Sequence, residues 1–431
     1  MQPGDMMVVR SGEPQDKGAA LEAVKRLRPP PAGIIASSID DKALPGLPLL
    51  RVADTGGAIL AMGEYARLKF SGKVLAVTGS AGKTTTVAML RHALVPWGGA
   101  EQTRHNANLP HGVAWNLASM GWTVPHIVLE LAIGRMGQSA RMARPDIAVF
   151  TNVLPAHLGE HSSIADIART KSAIFSGMLP GGIAVLNRDM SAWRIVYEAA
   201  RARGLRVLHY GSSDECEFRL VDYSARKREV TALVHSEKFT YELGAGGSHM
   251  ALNSLAVLAA LYGLGYAVAP ALEQLRSFSA LEGRGTEHVI HVGGKQLTIV
   301  DDAYNANPGS MAAAIHYLGE RKNAGRKVAV LGEMAELGPG TKEYHNALAT
   351  LVEQYAIDKV YVVGQHYEGF WPLISASRQG CWAHSLDELK SVLLSDLTDG
   401  DMLLFKGSHS TRIHSVVDWI KRLSETPSQE R

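Results

Sequence analysis

The run Thr78-Gly79-Ser80-Ala81-Gly82-Lys83-Thr84-Thr85 carries the residue types that grip phosphate. Gly79 and Gly82 let the backbone turn so that successive N–H groups point at phosphate oxygens. Lys83 puts a point charge on the β- and γ-phosphates, and the Thr84 hydroxyl is placed to ligate magnesium. The apolar stretch Leu75–Val77 precedes the loop and the helically spaced stretch Thr84–Val95 follows it, which is the strand–turn–helix order the chemistry requires. That helix adds its positive N-terminal end. With valine at position 77, the loop is shorter than the general pattern of four residues between the first glycine and Gly-Lys. The run predicts a nucleoside triphosphate as ligand: ATP, with magnesium.

Four further groups of residues could act beside it. Glu130 follows the apolar stretch Ile127–Leu129, and a carboxylate at such a strand end can hold a magnesium ion or simply face water. The run Thr151-Asn152-Val153-Leu154-Pro155-Ala156-His157-Leu158 also follows a strand candidate. There His157 is either a metal ligand as neutral imidazole or a hydrogen-bonded loop residue. Lys171 sits in a helical segment and, taken alone, reads as a solvated lysine. In Asp301-Asp302-Ala303-Tyr304-Asn305-Ala306-Asn307-Pro308, Asp302 could accept from a ribose hydroxyl and Tyr304 could stack. The same run could be no more than a loop cap before a helix near Gly309-Ser310. Lys406-Gly407-Ser408-His409-Ser410-Thr411-Arg412 is either an anion site or an ordinary polar connection.

The elements that must position these residues fall into three blocks, expected as three domains of an α/β chain. The first, residues 1–72, has strand candidates at Met6–Val9, Gly33–Ala36 and Leu49–Val52 and reads as a small N-terminal α/β domain. The second, residues 73–286, alternates strand candidates (Ile127–Leu129, Ile147–Phe150, Ile183–Leu186, Val207–Tyr210) with helical stretches such as Ile164–Phe175 and Met250–Leu261. That alternation predicts a mostly parallel sheet with helices on both faces, a P-loop ATPase domain. The third, residues 287–431, has strand candidates at Leu297–Val300, Val328–Leu331, Val360–Val363 and Met402–Phe405. Glycine follows the last three within a residue or two. This is a Rossmann-like αβα pattern whose strand C-termini face a ligand crevice.

Composition narrows the classes of function. At 431 residues and 46% apolar the chain can bury large cores without disulfides or a structural metal. A net charge of +2 argues against nucleic acid or an anionic membrane as main partner. The two cysteines, Cys216 and Cys381, lack metal-type spacing and read as reduced thiols. The segment MQPGDMMVVR has no apolar core, so it is not a secretory signal, and no stretch approaches the ~20 apolar residues of a membrane helix. A cytoplasmic monomer without membrane insertion is expected.

Together, in this order, these motifs resemble the Mur ligase family, most closely its members that add D-alanyl-D-alanine to a UDP-muramoyl tripeptide. The segments TGSAGKTTT, ARPDIAVFTNVLPAHLGEHSSIADIARTKSAIF, DDAYNANPGSM, VLGEMAELG and GDMLLFKGS carry the resemblance, which runs from about Met1 to Val417. It implies an ATP-dependent carboxylate–amine ligase working through an acyl phosphate. Thr84 and Glu130 would be ligands of one magnesium, and His157 and a carbamylated Lys171 ligands of a second. Asn253 would lie near the adenine, and Arg284 would reach the phosphates from the hinge. Asp302, Tyr304 and Asn305 would meet the nucleotide from the C-terminal domain. Lys83, His157, Lys171 and Arg284 are thus the catalytic candidates. Lys406 and Ser408 would belong to the pocket of the incoming amine, and the Asn106/Asn108 pair to the substrate side.

The chain also departs from the family pattern at its substrate ends. It starts at Met1-Gln2-Pro3-Gly4-Asp5, which matches the segment after the family's opening Asp-Ser-Arg-type strand, so a shortened N-terminal domain is expected. Asn106-Ala107-Asn108-Leu109-Pro110-His111-Gly112 has Leu-Pro where the family has a polar pair. His409-Ser410-Thr411 stands where Arg-Gly-Met is usual. Three readings therefore stay open: the cell-wall ligase, a paralogue with a different carboxylate acceptor, and a P-loop phosphotransferase or NTPase.

Overall fold

The computed structural model describes residues 4–9, 22–39, 46–155, 163–322 and 325–425. Three sheets follow one another along the chain. The first is small and parallel, made of Met6–Val9, Gly33–Ala36 and Leu49–Arg51. Val9, Val24, Ile34, Ala36 and Ile39 form its core.

The second sheet has nine strands. At its heart lies Lys73–Thr78, paired in parallel with His126–Glu130 on one side and Ile147–Phe150 on the other. Val74, Leu75, Ala76 and Val77 are all fully buried, because helices cover both faces and leave no polar side to the strand. Leu75 and Val77 pack towards the helices Lys83–Ala93 and Ser248–Gly263. Val74 and Ala76 pack towards Pro110–Ser119, Met136–Ala143, Ile164–Ser172 and Trp193–Ala202. The parallel order continues through Ile183–Asn187 and Arg206–Gly211 to Phe218–Ser224.

Three differences from the sequence-based expectation stand out. The sheet is mostly parallel as expected, but Phe218–Ser224, Glu229–Val234 and Glu237–Glu242, where no strands were expected, form an antiparallel meander at its edge. The helix beginning at Ile164 ends at Ser172, and a 3-10 turn, Ala173–Gly177, replaces its expected last turn. Third, the helix Thr55–Lys69, inside the block assigned to the N-terminal domain, contributes Ile59, Ala66 and its C-cap Phe70 to the core of the central sheet. It lies so close to Pro110–Ser119 that a side chain at Gly63 would collide with the Ala114 backbone.

The third sheet has the order Thr286–Val292, Lys295–Asp301, Met402–Lys406, Lys327–Gly332, Lys359–Val363, Gln379–Ala383. Its first pair is antiparallel and the rest parallel. Pro308–Glu320 and Thr341–Gln354 cover one face, Leu386–Asp396 and the helix after Ile413 the other. The last strand in sequence, Met402–Lys406, inserts between Lys295–Asp301 and Lys327–Gly332, so their C-terminal ends open a crevice. No helix among the described residues is long and apolar enough to cross a membrane.

Candidate active site

Three parallel strands in register deliver the phosphate loop and its neighbours to one edge of the central sheet. Val77 lies opposite both Glu130 and Val149. The loop itself needs its glycines. Gly79 has φ +150° and Gly82 φ +79°, and a side chain at Gly79 would run into the Thr151 hydroxyl. Residues just beyond Ile147–Phe150 hold the loop from behind. The Thr151 hydroxyl donates to the Ala81 carbonyl (2.6 Å), Asn152 Oδ1 accepts from the Ala81 N–H (2.9 Å), and the Ser80 hydroxyl is tied to the Leu154 backbone. The loop conformation is therefore set by protein contacts.

The carboxylate expected to hold magnesium is held in place on both oxygens. The Thr84 hydroxyl donates to Glu130 Oε2 (2.6 Å) and the Asn108 amide to Oε1 (2.9 Å). The Glu130 N–H donates to the Thr103 hydroxyl. Asn108 also donates to Asn106 Oδ1, so the pair assigned to the substrate side reaches the carboxylate itself. Lys83 and Lys171 meet at the same atom: both Nζ groups donate to the Gly79 carbonyl at 3.0 Å. Lys171 is 1% exposed, placed by the last turn of a helix that Ser163 caps. Burial drives its ammonium pKa well below the ordinary lysine value, Lys83 adds to the fall, and Glu130 opposes it. Burial likewise lowers Lys83, with Glu130 raising it and Arg284 lowering it further. His157 lies outside the described residues.

On the opposite wall, the Asn253 amide faces Gly82 closely enough that a Cβ there would sit 3.2 Å from its oxygen. The Arg284 guanidinium lies 4.0 Å from the centre of the Tyr304 ring, a cation–π pair at the hinge. Asp302 turns inward, whereas the Asn305 side chain is exposed and accepts from the Ala306 N–H. Asp302 Oδ2 pairs with Lys406 Nζ at 2.6 Å, and the same ammonium reaches the Asn305 carbonyl at 3.1 Å. Lys406 is 2% exposed. The Ser408 hydroxyl accepts from the Ala335 N–H and donates to the Ala306 carbonyl. Both residues assigned to the amine pocket thus brace the crevice from inside. Asn307, which had no assigned role, caps the helix Pro308–Glu320 and reaches the Ser80 carbonyl (3.4 Å), joining the third sheet to the phosphate loop. The loop-cap alternative holds for this residue.

Thr103, Thr151, Asn152 and Asn307 were missed as site residues. A threonine–asparagine pair straight after the strand beside the phosphate-loop strand was the available signal for two of them. A cavity of about 520 Å³ opens nearby, lined by Ile133, Arg135, Met136, Gln138 and Arg141 on one side and by Thr170, next to Lys171, on the other.

A glycine loop, a lysine and a helix start at the edge of a parallel sheet make a triphosphate grip, and the facing Rossmann-like sheet makes this a nucleotide-dependent α/β enzyme of three units. Residues 77–261 match the Mur ligase middle domain, and residues 287–409 the Mur ligase glutamate ligase domain. The chain belongs to the Mur ligase family and is an ATP-dependent ligase that forms amide bonds. It is 27% identical, over 91% of its length and 86% of the relative's, to the UDP-N-acetylmuramoyl-tripeptide–D-alanyl-D-alanine ligase of Bacillus subtilis. Among solved structures, MurF from Acinetobacter baumannii superposes with a TM-score of 0.83 at 26% identity, covering 98% of this chain and 91% of that one. MurF from Thermotoga maritima in complex with ADP gives 0.79 at 28% identity, covering 98% and 95%.

Proposed function

We propose that this ligase joins the amine of D-alanyl-D-alanine to a carboxylate of a UDP-muramoyl tripeptide, in the cytoplasm and as a monomer. The observation that carries the chemistry is the meeting of Lys83 and Lys171 at the Gly79 carbonyl beside Glu130. The half-buried Lys83 ammonium suits a multiply charged phosphate, and the buried Lys171 amine lies beside it on the same loop. In the first step an acceptor carboxylate oxygen attacks the γ-phosphorus, the bond to the β–γ bridging oxygen breaks, and ADP leaves an acyl phosphate. Lys83 takes up charge on the transferring group. In the second step the neutral amine adds to the acyl carbon, the tetrahedral intermediate expels phosphate, and the amine proton passes to solvent. Arg284, Asn253, Asp302, Tyr304 and Asn305 hold the nucleotide between the two sheets and keep water from the acyl phosphate.

Magnesium fits the hard oxygen donors of this edge, since Thr84 Oγ1 and Glu130 Oε2 lie 2.6 Å apart with Asn108 fixing the second carboxylate oxygen. Those two residues would hold it, and it would neutralise phosphate charge. The depressed pKa of Lys171 favours the neutral amine, the form that adds to carbon dioxide. The carbamate so formed would supply oxygen donors for a second ion, together with His157. Arg135 and Arg141 give the adjoining cavity a positive wall suited to an anionic acceptor.

A second reading, a different carboxylate acceptor, is favoured by Leu109. It is 52% exposed and leans on Gly134, beside that cavity, at a position where the family pattern is polar. Phosphate release measured with UDP-muramoyl tripeptide and D-alanyl-D-alanine, against a panel of other carboxylates and amines, separates the two. ATP turnover that needs both cell-wall substrates is expected. Turnover with another acceptor and none with these would replace the first reading by the second.

A further inference from the structure

The two units on either side of the proposed nucleotide site are joined covalently by residues 281–285, a short connection whose Gly283 carbonyl and Gly285 N–H are bonded to Tyr304 and Asp301 of the third unit. Beyond this connection and the Asn307 bond to the Ser80 carbonyl, side chains that cross the boundary help to hold the angle between them. Glu287, just past this hinge, accepts from three side chains: Arg228 Nη2 at 2.9 Å, Arg321 Nη2 at 3.1 Å, and the Tyr317 hydroxyl. Arg321 and Tyr317 belong to the end of the helix Pro308–Glu320, on Glu287's own side. Arg228 comes from the other unit, from the left-handed turn (φ +53°) of the antiparallel meander. Its second nitrogen donates to the Gly244 carbonyl (2.9 Å), and Tyr223 of the same hairpin accepts from the Gly247 N–H (2.6 Å). The glycine turn so gripped leads straight into the helix that carries Asn253.

We infer that Glu287 and Arg228 are positioning residues for the nucleotide: their ion pair is a strut that sets the angle at which the third sheet presents Arg284 and Tyr304 to the phosphate loop. The strut acts at a distance, since it touches neither the loop nor the crevice. It rests on the reading that the nucleotide lies between the two sheets. Without it the units would sample other angles, and apparent affinity would fall with the population of the competent one.

The test is equilibrium binding of a fluorescent ATP analogue to the full chain and to R228A, R228K, E287Q and Y304A, with thermal melts confirming that each is folded. Small-angle scattering of the nucleotide-free proteins accompanies it. Weakening by about tenfold in R228A, recovered to within about threefold in R228K, and a larger radius of gyration in R228A are expected. An R228A affinity within about twofold of the parent would overturn the strut, as would a loss that lysine does not relieve. Should R228A fail to fold, E287Q decides by the same criteria against the parent. Y304A tests the underlying reading separately: unchanged binding there removes the nucleotide from between the sheets, whatever Arg228 does.

Discussion

The phosphate-loop edge and the crevice of the third sheet treat their charges in opposite ways. At the loop, Lys83 and Lys171 converge on one carbonyl and both ammonium pKa values are depressed. The nearest carboxylate, Glu130, is already engaged by Thr84 and Asn108. In the crevice, Lys406 is equally buried but paired at 2.6 Å with Asp302 and bonded to the Asn305 carbonyl. One region leaves its two lysine amines without a carboxylate partner of their own, for a phosphate chain and its metal ions to complete, and the other satisfies itself. A binding edge built this way sacrifices stability for affinity, whereas a braced crevice adds stability and offers its ligand mainly shape and backbone.

Substitutions can break this contrast. The largest effect is expected from Lys83→Ala, which should lower ligase kcat by about a thousandfold in a phosphate-release assay. Its melting temperature should hold or rise, because a half-buried cation with a depressed pKa is removed. Lys171→Met should lower kcat by about a hundredfold and, without nucleotide, stabilise the fold by about 1 kcal/mol or more. The pH dependence has a definite sign. The folded chain releases the Lys171 proton below the ordinary value of 10.5 at which the unfolded chain does, so the unfolded state binds more protons in between. Stability therefore rises with pH through that window, and chemical denaturation of Lys171→Met should show a flatter rise. A drop in stability would mean that Lys171 is structurally paired like Lys406. Asp302→Asn should do the reverse of the loop variants. It strands the Lys406 cation, costing about 2 kcal/mol in denaturant melts, less than a fully buried pair would because Asp302 is a quarter exposed. A smaller fall in kcat should accompany it. If Asp302→Asn instead left stability unchanged and abolished turnover, the crevice would be a charge-storing site too.

Much of the site was legible because its parts are encoded locally. An apolar strand, two glycines, a lysine and two threonines declare the phosphate loop, and Glu130 at the end of the neighbouring strand follows from the same pattern. What stayed hidden depends on partners distant in sequence. Thr151 and Asn152 matter only because Ile147–Phe150 pairs with Lys73–Thr78, and Asn307 only because the third sheet docks on Ser80. Lys171 looked like a solvated lysine because one helical turn does not reveal which face is covered. The meander was missed for a different reason. Glu229–Val234 buries every second residue, and its neighbours carry Arg219, Asp222 and Lys238, so no continuous apolar run marks these strands. The helix Thr55–Lys69 contains Gly56, Gly57 and Gly63, which depress its intrinsic propensity; packing against Ala114 compensates.

That helix has a consequence for how such ligases can be recombined. Asp54 caps it by accepting from the Gly56 and Gly57 N–H groups, and one face of the helix, through Ile59 and Ala66, packs into the core of the central sheet. A chimera that exchanges the first sheet for that of another family member should therefore be spliced just upstream of Asp54. A splice at residue 72 would bring in a foreign helix to lie against Ala114, where even one added methyl group has no room.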